Sequence, residues 1–448
     1  MIMHIVILGN GISGVTAARH IRKHSDYAIT IISSESPFFF SRTALMYVFM
    51  GHMRFEDTQP YENDFWQKNK IDLLEAHIID INFDEKYLLT ENEDKIAYDK
   101  LVLAVGSKPN KFGWPGQDLD AVHGLYHKQD LEAMEVCSKG LKQAVVVGGG
   151  LIGLEMAEMF LSRNIPVSFL IREASYWDMV LPAQESAMIN RQMMHHGIDV
   201  RCSTELKEIV DDGKGKACAV VTNKGERIDC GFVGLTVGVS PNVAFLQGKS
   251  LDIERGILVN EYLETNIPDV FAIGDCAEML SPKSGRRPIE AVWYTGKMMG
   301  KVVAQTICGD KTSYDPGIWF NSAKFLDIEY QVYGQVPAIL PEGIKTIYWE
   351  HPEGNKSIRI NYRASDGAVT GFNLMGVRYR QNVCEKWIKK KANIEDVLSN
   401  LSLANFDPEF FKPYEAELRM VYAQVSGKTI RPKSKRSLTA VLSFLKSK

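Results

Sequence analysis

A six-residue glycine pattern that occurs twice, each time between a short apolar strand and a helix, confines this 448-residue chain to few folds. The first copy is Gly9-Asn10-Gly11-Ile12-Ser13-Gly14, after the run His4 to Leu8 and ahead of a helix expected through Arg22. Gly9 permits the sharp turn, Gly11 lets the backbone approach a pyrophosphate, and Gly14 lets helix and strand pack closely. The amides and dipole at the helix start, where Ile12 and Ser13 stand, then favour negative charge. A second strand, Ala28 to Ser33, leads to Glu35, where a carboxylate can take both hydroxyls of an adenosine ribose.

The second copy, Gly148-Gly149-Gly150-Leu151-Ile152-Gly153, follows the strand Gln143 to Val147 and opens a helix running past Glu158. Two cradles mean two dinucleotides, or a duplication in which one site was lost. Both copies keep all three glycines (Gly9, Gly11, Gly14 and Gly148, Gly150, Gly153), which favours two working sites. The next strand, Val167 to Ile171, ends in Arg172-Glu173. Arg172 suits the 2′-phosphate of NADPH and Glu173 the free ribose of NADH, with a lean towards NADH.

A chain this long holds two or three domains, each with its own core. Its 45% hydrophobic and 24% charged residues are those of a globular protein. A net charge of -3 gives no reason to expect a nucleic-acid partner. The seven cysteines include no CxxC, no CxxxxC and no metal-binding cluster with histidine, so no metal site is expected and the thiols read as small buried groups in a reducing compartment. The apolar opening Ile5-Val6-Ile7-Leu8 meets glycine after four residues, too few for a signal core or a bilayer span, and the cytoplasm is the expected location.

Further motifs occur in a telling order. Tyr98-Asp99-Lys100-Leu101-Val102-Leu103-Ala104-Val105-Gly106-Ser107-Lys108-Pro109 precedes Trp114-Pro115-Gly116. Leu235-Thr236-Val237-Gly238-Val239-Ser240-Pro241-Asn242 follows the second cradle, and then comes Thr265-Asn266-Ile267-Pro268-Asp269-Val270-Phe271-Ala272-Ile273-Gly274-Asp275-Cys276-Ala277. From residue 1 to about 312 the chain resembles the pyridine nucleotide-disulfide oxidoreductase superfamily of FAD flavoproteins. The resemblance implies an α/β fold: two Rossmann-like dinucleotide-binding domains of the three-layer, glutathione-reductase-like kind, plus a C-terminal α+β interface domain. The implied divisions are residues 1–112 with 250–312 for FAD, 113–249 for NAD(P), 313–425 for the interface domain and 426–448 for a tail. It also implies that Ala104, Gly106, Gly274 and Asp275 lie on FAD, Asp275 at the ribityl and pyrophosphate region, and Gly238 on the nicotinamide side.

Residues Phe38 to Gly51, with Arg42 among them, resemble the YSRxxLSxxLxG stretch of rubredoxin, ferredoxin and nitrite reductase flavoproteins. Disulfide reductases would carry CxxxxC there, so a dithiol mechanism is not expected. In that branch a lysine often pairs with a glutamate beside the flavin. Glu155 matches the glutamate and is the candidate catalytic residue, but the lysine would fall near Tyr47 and is absent. The stretch Glu290-Ala291-Val292-Trp293-Tyr294 is expected to begin the helix that abuts the flavin, with Trp293 in contact.

The implied activity is hydride transfer from NADH or NADPH to FAD, then onward to a small electron carrier such as ferredoxin or rubredoxin. Two alternatives stay open: a membrane-surface NADH:quinone dehydrogenase, and an apoptosis-inducing-factor-like flavoprotein whose reduction switches partner binding. From Trp319 short alternating stretches divided by turns read as an antiparallel sheet, then helices near Gln381–Lys390 and Ile394–Leu401. This domain stands where the family's homodimer interface is usually found. In the tail, Lys428, Arg431, Lys433, Lys435 and Arg436 precede Leu438, Val441, Leu442 and Leu445 at helical spacing, a pattern suited to peripheral membrane contact or an acidic carrier.

Overall fold

The structure is a computed structural model that describes residues 2–283, 285–406 and 412–432. It forms two compact units, Met1–Trp177 with Met193–Gly317, and Asp178–Gln192 with the described residues from Ile318 on.

The first unit is built on two five-stranded parallel sheets. One runs Val270–Ala272, Lys100–Leu103, His4–Leu8, Ala28–Ser33, Asp72–Glu75, in register His4 with Ala28 and Ile5 with Lys100. The other runs Asp199–Arg201, Val167–Leu170, Ala144–Val147, Phe232–Leu235, Val122–His123. Their central strands are unbroken apolar runs, and Ile5, Val6, Ile7, Val145 and Val146 are wholly buried. That is the pattern of strands covered on both faces. Helix Ile12–His24 packs with helix Trp293–Ile307 on the first sheet. Helix Leu151–Ser162 covers the second. Each sheet carries an antiparallel three-stranded companion, Ile78–Asn82 to Lys95–Ala97 and Leu206–Asp211 to Arg227–Asp229. The two junction motifs pair with each other, Ser107–Pro109 antiparallel to Val239–Pro241.

In the second unit five antiparallel strands run in the order Phe320–Phe325, Ile328–Gly334, Val369–Met375, Ser357–Arg363, Ile344–Glu350. Ile358, Ile360, Phe372 and Leu374 pack with Val397, Leu398, Leu401 and Leu418 from the helices that follow. Residues 178–192, expected within the 113–249 domain, belong instead to this unit. Glu185 and Arg359 join there in a buried bidentate pair of 2.7 and 2.8 Å, with side chains 0% and 5% exposed. Asn373 adds a third donor to Glu185 at 3.3 Å.

The expected helices near 381–390 and 394–401 correspond to Gln381–Lys389 and Ile394–Ser399. Helix Glu415–Ser426 adds a further element before the tail. Lys428 pairs with Glu395 at 2.7 Å. The expected amphipathic stretch from Lys433 to Leu445 lies outside the described residues. Among the described residues no helix is long and apolar enough to cross a membrane, and no group of three or more His, Cys, Asp or Glu could hold a metal ion.

Candidate functional site

All strands of the first sheet are parallel, so His4–Leu8, Ala28–Ser33, Lys100–Leu103 and Val270–Ala272 deliver their carboxyl ends to one edge. Doubly wound sheets bind ligands at that edge. Here the strand ends run on into Gly9 to Gly14, Glu35, Ala104 to Gly106 and Gly274 to Asp275. Gly9 has φ 116°, and a methyl group there would lie 2.1 Å from the Ala104 carbonyl oxygen, so only glycine fits. At Gly11 a methyl group would meet nothing within 4 Å. Gly11 caps the helix without a side-chain bond, and Ile12, Ser13 and Gly14 form its first turn with no acidic residue among them. This is open space in front of unpaired helix amides, the arrangement that accepts a pyrophosphate.

The second cradle repeats the first closely. A methyl on Gly148 would lie 2.5 Å from the Thr236 carbonyl oxygen, and one on Gly150 would meet nothing within 4 Å. Leu151, Ile152 and Gly153 open the helix. Arg172 donates to its neighbour Glu173 at 3.1 and 2.8 Å just beyond strand Val167–Leu170. Gly238 accepts from the Asn110 amide at 3.0 Å, so it lies where the two junction strands meet.

Glu35, expected to stand open to a ribose, is already well engaged. Arg42 binds it bidentately at 2.7 and 2.6 Å, and the Lys128 amide at the start of helix Lys128–Cys137 donates at 3.0 Å. Burial works the other way, yet Arg42 and the Lys128 amide hold this carboxyl below its ordinary range. Asp275 accepts the Tyr126 hydroxyl at 3.0 Å. Burial pushes the Asp275 carboxyl up, opposed by Tyr126, Arg42 and Ser107.

Glu155 lies one turn into the second cradle's helix, half-buried. Burial, and then the neighbouring Glu158, push its carboxyl up to about 7. Among the described residues no cation acts on it. At the position expected to hold a lysine, Tyr47 stacks instead on His52 at 6.1 Å. Trp293 is the first residue of helix Trp293–Ile307, which therefore begins later than the sequence suggested; the residue is 37% exposed, with Lys297 4.9 Å from the centre of its ring.

Tyr126 was not singled out from the sequence. Its partner Asp275 is 149 residues away, and no local pattern marks so distant a contact.

Two parallel sheets, each with a glycine cradle at its carboxyl edge, define a protein for two dinucleotides. The pattern of the pyridine nucleotide-disulphide oxidoreductase family matches residues 3–303, and the chain belongs to that family. It is 28% identical over 430 residues to an NADH oxidase of Methanocaldococcus jannaschii, covering 91% of this chain and 95% of that one. It is 29% identical over 396 residues to the nitrite reductase [NAD(P)H] of Bacillus subtilis, covering 88% of this chain and 48% of the relative, so it spans about half of that protein's length. An NADH-rubredoxin oxidoreductase of Clostridium acetobutylicum is 28% identical over 311 residues, 69% of this chain and 76% of its own. The crystal structure of a Clostridium acetobutylicum NADH:rubredoxin oxidoreductase matches at TM-score 0.68 and 24% identity, over 89% of this chain and 99% of that chain.

Proposed function

We propose that this chain is an FAD-dependent oxidoreductase that takes hydride from NAD(P)H and passes electrons to a ferredoxin- or rubredoxin-like carrier, without a redox-active disulfide. The observation that carries the reading is the pair of complete cradles, each with open space over its middle glycine. Family membership and the named relatives, an NADH-rubredoxin oxidoreductase among them, support it. Bound FAD would supply the capacity to accept two electrons as a hydride and release them singly.

In this reading residues 1–112 with 250–312 hold FAD. The amides of Ile12 to Gly14 bind its pyrophosphate, and Asp275 orients the ribityl chain. Residues 113–177 with 193–249 hold the nicotinamide dinucleotide, with its pyrophosphate on the amides of Leu151 to Gly153. Arg172 is occupied by Glu173, which weakens its hold on a 2′-phosphate and favours NADH. Glu155, with its carboxyl at about 7, keeps a proton on much of the protein at neutral pH. It thus places little uncompensated charge beside the second cradle, although no lysine is there.

The deciding experiment is anaerobic stopped-flow reduction of the purified protein by NADH and NADPH in parallel, followed by addition of rubredoxin or ferredoxin. Fast flavin bleaching by NADH and reoxidation by the carrier are expected; a protein that binds no flavin overturns the reading. Transfer to dioxygen is a second reading, favoured by the nearly end-to-end match with an NADH oxidase. Oxygen uptake that the carrier does not suppress would select it.

A further inference from the structure

The carboxyl edge of the first sheet is crossed by a chain of side chains that the glycine pattern does not announce. Glu35 follows strand Ala28–Ser33 and Asp275 follows strand Val270–Ala272. These strands stand three intervals apart in the sheet, about 14 Å at about 4.8 Å each. The first cradle opens between them. Glu35 holds Arg42 in a planar fork. The Arg42 guanidinium lies 4.6 Å from the centre of the Tyr126 ring and also donates to the Tyr126 carbonyl oxygen. The Tyr126 hydroxyl then donates to Asp275 at 3.0 Å and accepts the Ser107 amide at 3.0 Å.

Tyr126 is itself fixed. Its amide and that of His127 both donate to Asp130 at 2.8 Å, at the start of helix Lys128–Cys137. Gly106 has φ 68°, and a methyl group there would come within 3.0 Å of the hydroxyl oxygen. With one donor and one acceptor supplied, that oxygen has one place to sit, and the carboxylate it holds has one orientation.

We propose that Tyr126 is a positioning residue of the flavin site, its hydroxyl orienting Asp275 and its ring and carbonyl holding Arg42. One residue thereby sets both flanks of the cradle. The inference rests on the reading of this edge as the FAD site, and it goes further in giving a residue outside every glycine motif control over cofactor retention. Tyr126 touches Asp275 and Arg42, and acts on the cofactor through them.

The test uses the full-length protein and the dissociation constant of FAD, measured by recovery of flavin fluorescence on dilution, for wild type, Tyr126→Phe, Asp275→Asn and the double variant. Loss of one hydrogen bond to a charged group predicts about ten- to a hundredfold weaker FAD binding in Tyr126→Phe. In the Asp275→Asn background the same change should alter the constant less than twofold, because the group through which it acts is already altered. The acid limb of FAD retention should also move to higher pH in Tyr126→Phe. The hydrogen bond that favours the Asp275 carboxylate is then gone, while Arg42, Ser107 and the Cys276 thiol still face it. A purely structural role would not shift that limb. Tyr126→His, which returns an N–H donor, should recover part of the affinity and serves if the phenylalanine variant does not fold. Unchanged affinity in Tyr126→Phe beside weakened binding in Asp275→Asn overturns the proposal, as do effects that simply multiply in the double variant. Full FAD affinity in Asp275→Asn overturns instead the reading of the site on which the proposal stands.

Discussion

Glu155 shows how a single missing partner alters a site. With no cation acting on it among the described residues, burial and Glu158 carry its carboxyl from 4.5 up to about 7. The folded chain therefore keeps a proton that the unfolded chain has already released, and stability falls as pH rises through that window. Glu155→Gln is neutral at every pH. It should match the wild-type melting temperature near pH 5 and exceed it at pH 8.5, and parallel melting curves at both values would sink the assignment. Glu173 makes the corresponding point for nucleotide choice. Arg172 is tied to it, so Glu173→Ser should free the guanidinium and raise the rate of flavin reduction by NADPH relative to NADH. An unchanged ratio in stopped-flow reduction would remove Arg172 from the argument.

Among the elements, the segment 178–192 is held to the C-terminal sheet by the Glu185–Arg359 pair, with Gln184 also accepting from Arg359 at 2.7 Å. Removing one partner strands a buried charge, a loss of about 3–5 kcal/mol, whereas replacing both with apolar groups is often nearly neutral. Arg359→Met should lower the urea midpoint markedly, and Arg359→Met with Glu185→Leu should regain most of the loss. An equal loss in both would mean that the pair adds more than charge compensation. Nothing in the sequence pointed to this pair, whose members lie 174 residues apart. The cradles were legible for the opposite reason. Strand, turn, helix and acid fall within thirty-five residues, and the steric demand on Gly9 and Gly14 is local in its effect on sequence. Alternation likewise marked the antiparallel sheet expected from Trp319 on, which holds strands Ile328–Gly334, Ile344–Glu350 and Ser357–Arg363. Strand Phe320–Phe325 was not resolved from its surroundings, since most of its side chains are half-buried and the two faces differ little.

At the scale of the whole molecule the question is where two electrons rest between donor and acceptor. The family's name includes a disulphide, and disulfide chemistry needs two thiols within bonding reach, one of them readily ionised. The chain has seven cysteines, none joined to another among the described residues. Burial pushes the thiols of Cys230 and Cys276 up to about 12, and Cys384 is raised well above its ordinary value. Cys276 follows Asp275 directly, yet its Sγ donates to the Leu103 and Ile273 carbonyls inside the sheet's core, at 3.4 and 3.3 Å. A buried thiol bonded in this way is a poor nucleophile. If the flavin alone carries the electrons, protein denatured under argon should titrate seven thiols with a disulfide reagent both before and after full reduction by NADH. Alkylating the NADH-reduced protein should also leave carrier reduction intact. A gain of two thiols on reduction would establish a redox-active pair and return the chain to the dithiol branch of its family.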